Sequence, residues 1–427
     1  MSREPVKKSR FHLIMTSAII GSLMEWYDFA AYVFMAAPIS RLFFPHDNSY
    51  IALMLTYVVF AVGYFMRPIG GILFGHFGDR IGRQKTLTYT ILLMSVPTVL
   101  IGLLPTYHQI GILAPILLIL LRMVQGLSTG GEMIGSISFV FESSPAKHRG
   151  LTTAAVWGAS GFGFLLGSAA VAFLTTHMTQ SQLLHWGWRI PFFFGILTGV
   201  VGYFIRQKTE ETVYFVAMKK RGEAAVVPII QTFKQHKKTF LKIFFIFMPA
   251  AVMFYTVFIF LPTYAFKFIK HPMHSALTIN SIALSVLLIF EPVFGFLSDR
   301  YGRKPFMIVA MLICMVISIP LFSMMTSGVL MKFLIAQCIF AFLDAMYTGS
   351  VMAAVLESVP TRLRYSTVAG AYNLSYSIFG GTAPLVVTFL IHSSGRFITA
   401  AYYIVLVSIL ALPIAIKMRE TFKNVIV

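Results

Sequence analysis

Long apolar runs alternate with short charged breaks along this chain. Twelve runs stand out, near residues 12-37, 50-75, 86-105, 111-140, 151-176, 187-205, 239-266, 275-297, 305-325, 329-356, 366-391 and 397-416. A helix needs about 20 mostly apolar residues to cross a bilayer, and each run supplies that number within a residue or so. The pattern predicts an all-α membrane protein with twelve transmembrane helices. One polar interruption is much longer than the rest and falls near the midpoint. It divides the chain into an N-terminal six-helix bundle (1-205), a linker (206-238) and a C-terminal six-helix bundle (239-427).

Composition sharpens this picture. Hydrophobic residues make up 57% and charged residues 11%, against about 25% charged in soluble domains. A soluble enzyme, a disordered chain and a collagen-like fibre are excluded. The net charge of +19 could suggest nucleic acid, but no stretch is long and polar enough to fold as a basic domain, so no nucleic-acid partner is expected. The charge instead reports topology. The tails and the connectors at 76-86, 142-150, 206-242, 298-304 and 357-365 hold 26 of the 34 Lys and Arg residues. By the positive-inside rule these segments, and both termini, are expected in the cytoplasm. Cys314 and Cys338 both lie in apolar runs, so neither a disulfide framework nor a metal cluster is expected, and no cofactor is implied.

The two halves are related to each other. Gly75-His-Phe-Gly-Asp79-Arg80-Ile-Gly82-Arg83 recurs 220 residues later as Gly295-Phe-Leu-Ser-Asp299-Arg300-Tyr-Gly302-Arg303. Glu142-Ser-Ser-Pro145-Ala-Lys-His-Arg149 recurs 215 residues later as Glu357-Ser-Val-Pro360-Thr-Arg-Leu-Arg364. Basic residues beside a helix end are ordinary stop-transfer chemistry, but that does not explain the repeated Asp, Gly, Glu and Pro. An internal repeat of this kind is a signature of secondary transporters.

The two loops, the six-plus-six layout and Arg122-x-x-x-Gly126-x-x-x-Gly130 resemble the major facilitator superfamily. Within it, Glu25-Trp26-Tyr27-Asp28-Phe29, Arg67-Pro68-x-Gly70-Gly71, Gln125-Gly126-x-x-x-Gly130-Gly131-Glu132 and Gly187-Trp188-Arg189-Ile190-Pro191-Phe192 resemble the metabolite:H+ symporters. Phe139-Val140-x-Glu142-x-Ser144-Pro145, Glu210-Glu211-Thr212 and Tyr365-Ser366 are most similar to the proline/glycine-betaine transporters of that family. The resemblance implies a monomer in the bacterial inner membrane that imports a small polar or zwitterionic metabolite, such as proline or a betaine, together with a proton. Organic acids such as oxoglutarate, citrate or shikimate are the next substrate class. A multidrug:H+ antiporter and a non-transporting sensor share the layout.

Charges inside the spans carry the candidate chemistry, because a charge at the bilayer centre costs at least about 2.5–3.5 kcal/mol. From helix rise, Asp28 and Arg122 lie at roughly 24 and 27 Å from the cytoplasmic ends of their spans, so they can meet. Asp28, with Glu25 as a second candidate, is expected to alternate between pairing with Arg122 and holding a proton. The Tyr27-Asp28 step resembles the proton-coupling Tyr-Asp of sugar porters. Arg67 and Glu132 both fall at roughly 12 Å, a second plausible pair, with Glu132 also a candidate for proton coupling and Arg67 for gating. On the fourth span Arg122, Gln125, Thr129, Glu132 and Ser136 share one helical face. The offset of 215 maps Arg122 onto Gln337 and Thr129 onto Asp344, so the ionic chemistry is expected mainly in the first half.

Candidate substrate-binding residues are Tyr27, Tyr57, Gln125, Trp157, Tyr255, Gln337, Asp344, Asn373 and Tyr376, with Tyr372 beside them. Aromatic faces hold quaternary ammonium groups well. Around the loops, Asp79, Arg80, Arg83, Glu142, Arg149, Asp299, Arg300, Arg303, Glu357 and Arg364 are expected to form a cytoplasmic ionic latch, with the two aspartates accepting hydrogen bonds at a neighbouring helix N-terminus. Gly126-Leu127-Ser128-Thr129-Gly130 fits the G-x-S-x-G pattern of hydrolases, but that motif works at a strand-to-helix elbow with a histidine nearby. Ser128 lies in mid-span with all the histidines in tails, loops or span edges, so no enzyme is expected.

Overall fold

The computed structural model describes residues 8–81, 83–208 and 236–422. Most of the 206-238 linker therefore lies outside the described residues, as do the side chains of Asp79, Arg80, Arg83 and Glu132. Twelve helical segments follow the twelve apolar runs. They are α1 (Lys8–Phe34), α2 (Ser49–Ile81), α3 (Arg83–Leu103), α4 (Leu113–Ser143), α5 (Arg149–His177) and α6 (Ile190–Lys208). In the second half they are α7 (Lys237–Lys267), α8 (Met273–Tyr301), α9 (Arg303–Met325), α10 (Leu330–Glu357), α11 (Arg364–Ser394) and α12 (Thr399–Lys417). Among the described residues, ten are long and apolar enough to cross a bilayer by length and composition. The other two are α1, which carries Glu25 and Asp28, and α3, whose apolar part is the shorter Thr88–Leu103.

Outward faces are apolar, as lipid contact requires. Val96 and Leu103 on α3, Ile196 and Phe204 on α6 and Val316 on α9 are all exposed. Inward faces pack by small residues, which let backbones approach where water gives no hydrophobic drive between helices. The α2–α4 contact shows the limit of this device. A Cβ at Gly126 would stand 1.9 Å from the Gly63 carbonyl oxygen, and one at Gly130 would stand 2.0 Å from that of Arg67. Only hydrogen fits there.

Three inner helices are irregular. Helix α4 breaks at Gly130–Gly131, between Leu113–Thr129 and Glu132–Ser143. Helices α7 and α11 each contain a π-helical turn, at Tyr255–Phe260 and Tyr376–Gly380. Irregular backbone at membrane depth is tolerated where protein surrounds it, and both turns are buried except for Ile378 and Phe379. Such turns also re-aim the side chains at their start, here two tyrosines.

First-half and second-half helices meet along two seams. Helix α5 packs on α8 and α2 packs on α11. At the end opposite the repeated loops, Lys267 Nζ donates to Ser40 Oγ at 3.0 Å, and the Tyr50 and His392 rings stack at 3.8 Å.

Candidate functional site

Asp28 on α1 and Arg122 on α4 are both buried, 1% and 0% exposed, at a shared level of the bundle. They do not form an ion pair in this conformation. Arg122 Nη1 donates to Gln125 Oε1 at 2.9 Å, and Gln125 Nε2 donates to Thr98 Oγ1 at 2.7 Å. Thr98 on α3, whose hydroxyl also donates to the Met94 carbonyl at 2.8 Å, lies beside the Asp28 carboxylate, and Thr198 Oγ1 on α6 lies 3.5 Å from both its oxygens. Acid and guanidinium are thus the two ends of one buried polar chain. The remaining faces of the guanidinium are covered by aromatic rings, with Tyr32 at 4.3 Å, Phe29 at 4.7 Å and Phe60 at 5.7 Å. Arg122 Nε and Nη2 have no hydrogen-bond acceptor among the described residues. Gln125, placed by the sequence with the substrate groups, here spends both ends of its amide within this chain.

The carboxylate expected to pair with Arg67, that of Glu132, lies outside the described residues. The Arg67 guanidinium sits among the rings of Trp26, Tyr64 and Tyr372 at 5.1, 5.1 and 5.3 Å. Its one polar neighbour among the described residues is the Tyr372 hydroxyl, and no described carboxylate pairs with it. The rings around it continue into the aromatic cluster that the sequence nominated for substrate. Tyr372 and Tyr376 stand 4.3 Å apart, and the Trp157 ring lies 5.6 and 6.0 Å from them. Tyr255 hydrogen-bonds Tyr64 and lies 6.2 Å from Tyr376. Asn373 donates to the Gly130 carbonyl at the break in α4.

Two nominated tyrosines stand apart from this cluster. Tyr27 donates to the Pro191 carbonyl at 3.2 Å and packs edge-on against Phe194, because its position on α1 faces α6. Tyr57 lies against Phe260, nearer the opposite end.

The second half is richer in buried charge than the sequence mapping suggested. Asp344 on α10 and Glu291 on α8 are 0% and 1% exposed. Neither Asp344 oxygen, nor Oε1 of Glu291, has a hydrogen-bond donor among the described residues. Both charges are visible in the sequence, Glu291 toward the end of its apolar run; what the sequence does not show is that they meet, because they lie on different helices. Gln337, two turns from Asp344, is committed elsewhere, donating to the Val257 carbonyl at 2.9 Å and to Asn280 Oδ1 at 2.7 Å.

A family model described as "sugar (and other) transporter" matches residues 14–425. The chain belongs to this transporter family. It is 35% identical to the proline/betaine transporter of Salmonella typhimurium over 95% of this chain and 83% of that protein. It is 34% identical to the glycine betaine/proline/ectoine/pipecolic acid transporter OusA of Dickeya dadantii over 97% of this chain and 85% of that protein. Its fold matches that of a major facilitator superfamily proton:xylose symporter, with a TM-score of 0.78 at 18% identity over 98% of both chains. The twelve-helix arrangement is therefore the major facilitator fold, and the protein is a membrane transporter of a small molecule, not an enzyme.

In this transporter the described loops, at 142-150, 298-304 and 357-365, build a compact ionic cluster. The Asp299 carboxylate accepts from the Gly150 and Leu151 amides at 2.8 and 2.9 Å, at the N-terminus of α5, where amides are otherwise unpaired. Arg303 Nη2 pairs with Asp299 at 2.7 Å and with Glu357 at 3.0 Å. Glu420 accepts from the Arg303 and Lys304 amides, both at 3.0 Å. Across the halves, Arg364 Nη1 pairs with Glu142 at 3.0 Å, and Arg364 and Arg149 both lie over the Phe141 ring. Arg300, expected in this latch, is not in it. It lies exposed over Phe296, since consecutive helical positions point about 100° apart and Asp299 takes the inward one.

Sequence reasoning missed Thr98, Thr198, Trp26, Tyr64 and Glu420. Trp26 adjoins the charged Glu25-Asp28 segment, which was a usable signal. The threonines carried none, being common in membrane helices.

Proposed function

We propose that this chain is a proton-coupled importer of a small zwitterion, with proline and glycine betaine as the leading substrates. One observation carries the proposal: a buried carboxylate and a buried guanidinium joined by a hydroxyl and an amide, in a transporter whose relatives are named for proline and betaine. Direct contact with Arg122 favours the ionised acid, whereas separation in a dry site favours the protonated one. Small movements of α1 against α4 would shorten or break the Thr98–Gln125 relay and so switch Asp28 between the two forms. The bundles 1-205 and 239-427 would rock against each other as units, opening the centre to each side in turn. Asp299, Arg303, Glu357, Glu142 and Arg364 would act as the latch of the cytoplasmic side, where both termini and the basic linker belong. The membrane would be the bacterial inner membrane, and the working unit a monomer.

Guanidinium groups of Arg67 and Arg122 with no described carboxylate paired to them favour a second reading, uptake of an organic acid with a proton. Two uncompensated carboxylates in the same core weigh against a purely anionic ligand. Uptake into proteoliposomes containing the purified protein, with and without an inward proton gradient, tests the proposal. Proline or glycine betaine should accumulate only with the gradient. Accumulation of carboxylates alone, or of nothing, would refute it.

A further inference from the structure

The centre of the molecule holds charges of both signs that do not pair with each other. Arg67 is fully buried beside the Tyr372 hydroxyl with no described carboxylate paired to it, and Asp344 is fully buried with both oxygens lacking a donor among the described residues. Glu291 adds a second buried carboxylate beside Asp344; a Cβ on Gly158 of α5 would stand 3.0 Å from its Oε2. Between the two poles run aromatic rings. Tyr372 lies against Arg67, Tyr376 stacks on Tyr372, and Tyr376 is close enough to feel Arg67 on one side and Asp344 and Glu291 on the other.

Buried ions are normally paired, because leaving one without a counter-charge is strongly destabilising. Here four helices, α2, α8, α10 and α11, hold opposite charges within one aromatic cluster and keep them apart. A ligand carrying both signs at its own ends would satisfy both poles at once.

We infer that Arg67 and the Asp344–Glu291 pair are the two poles of the substrate site, Arg67 receiving a carboxylate and the acids, with the Trp157, Tyr372 and Tyr376 faces, receiving an ammonium. The inference rests on the reading of this chain as a zwitterion transporter and gives that reading its recognition chemistry. It moves Arg67 from the gate to the ligand and makes Glu291 a binding residue. Selectivity follows: a quaternary or secondary ammonium is held by ring faces and carboxylates, a carboxylate by the guanidinium fork, and a molecule with only one charge leaves one pole uncompensated.

Three probes of the same shape separate the poles. Glycine betaine carries both charges, 3,3-dimethylbutyrate keeps the carboxylate alone, and ethyltrimethylammonium keeps the cation alone. Binding to the purified full-length protein is read by calorimetry. The wild type should bind glycine betaine at least about tenfold more tightly than either single-charge probe. Asp344→Asn should weaken glycine betaine about tenfold while leaving 3,3-dimethylbutyrate unchanged, and Arg67→Gln should weaken glycine betaine similarly while leaving ethyltrimethylammonium unchanged. Equal affinity of the wild type for betaine and either probe would overturn the inference without recourse to any variant. So would betaine affinity within about twofold of wild type in either variant. Wild-type proteoliposomes report on transport separately. Loss of uptake with the binding pattern intact would refute the transport reading and leave the two-pole site standing. Uptake with binding indifferent to both substitutions would do the reverse.

Discussion

At the loop-bearing rim, Arg303 meets two carboxylates, and Asp299 answers both that guanidinium and the amides of α5. Some distance inward, Arg67 meets aromatic rings and the Tyr372 hydroxyl but no described carboxylate, and Asp344 meets no donor among the described residues. Both regions are buried, and both are built from the same residue types. The difference is that the described rim charges neutralise one another, whereas the described core charges Arg67 and Asp344 do not. A saturated cluster suits a latch, which must hold one state. An unsaturated one suits a site whose partner comes and goes.

Four substitutions test that contrast. The largest effect is expected outside both clusters, at the frame that supports them. Gly126→Val would drive a side chain into the Gly63 backbone, and no folded protein should be recovered by size-exclusion chromatography. Arg303→Gln would leave Asp299 and Glu357 buried without their cation, costing about 3–5 kcal/mol and lowering the melting temperature clearly. Asp344→Asn should do the opposite in the core: removing a charge that has no partner should leave thermal stability equal or higher, by about 1 kcal/mol. A fall as large as that of Arg303→Gln would show that the core charges are compensated after all. Glu142→Gln should have the smallest effect on melting, about 0–1 kcal/mol, since the carboxylate facing Arg364 is 38% exposed.

A functional counterpart concerns the first-half relay. Asp28→Asn should abolish uphill, gradient-driven uptake in proteoliposomes while exchange of labelled substrate continues. Normal accumulation by that variant would remove Asp28 from the coupling step.

Much of this was legible before any coordinates. Twelve apolar runs locate twelve helices because backbone groups in lipid must be satisfied within each segment. Helix rise alone put Asp28 and Arg122 at one level, and the loop repeat put Asp299 near a helix N-terminus. Other features were not legible. Thr98 and Thr198 flank Asp28 only because α3 and α6 pack beside α1. Tyr376 is aimed at the core by a π-helical turn that no residue pattern announces. Arg67 is enclosed by rings from three helices, which its depth along α2 did not announce.

Sequence by itself determined the solvent, the number of helices, the internal repeat and which residues carry charge into the membrane. These follow from composition and from periodicities of one chain segment at a time. Tertiary packing decided which charges are neutralised and which are left facing one another across aromatic rings. Pairing depends on distances of a few ångströms between helices far apart in the chain. Those distances are set by glycine contacts, helix breaks and bundle geometry that act together.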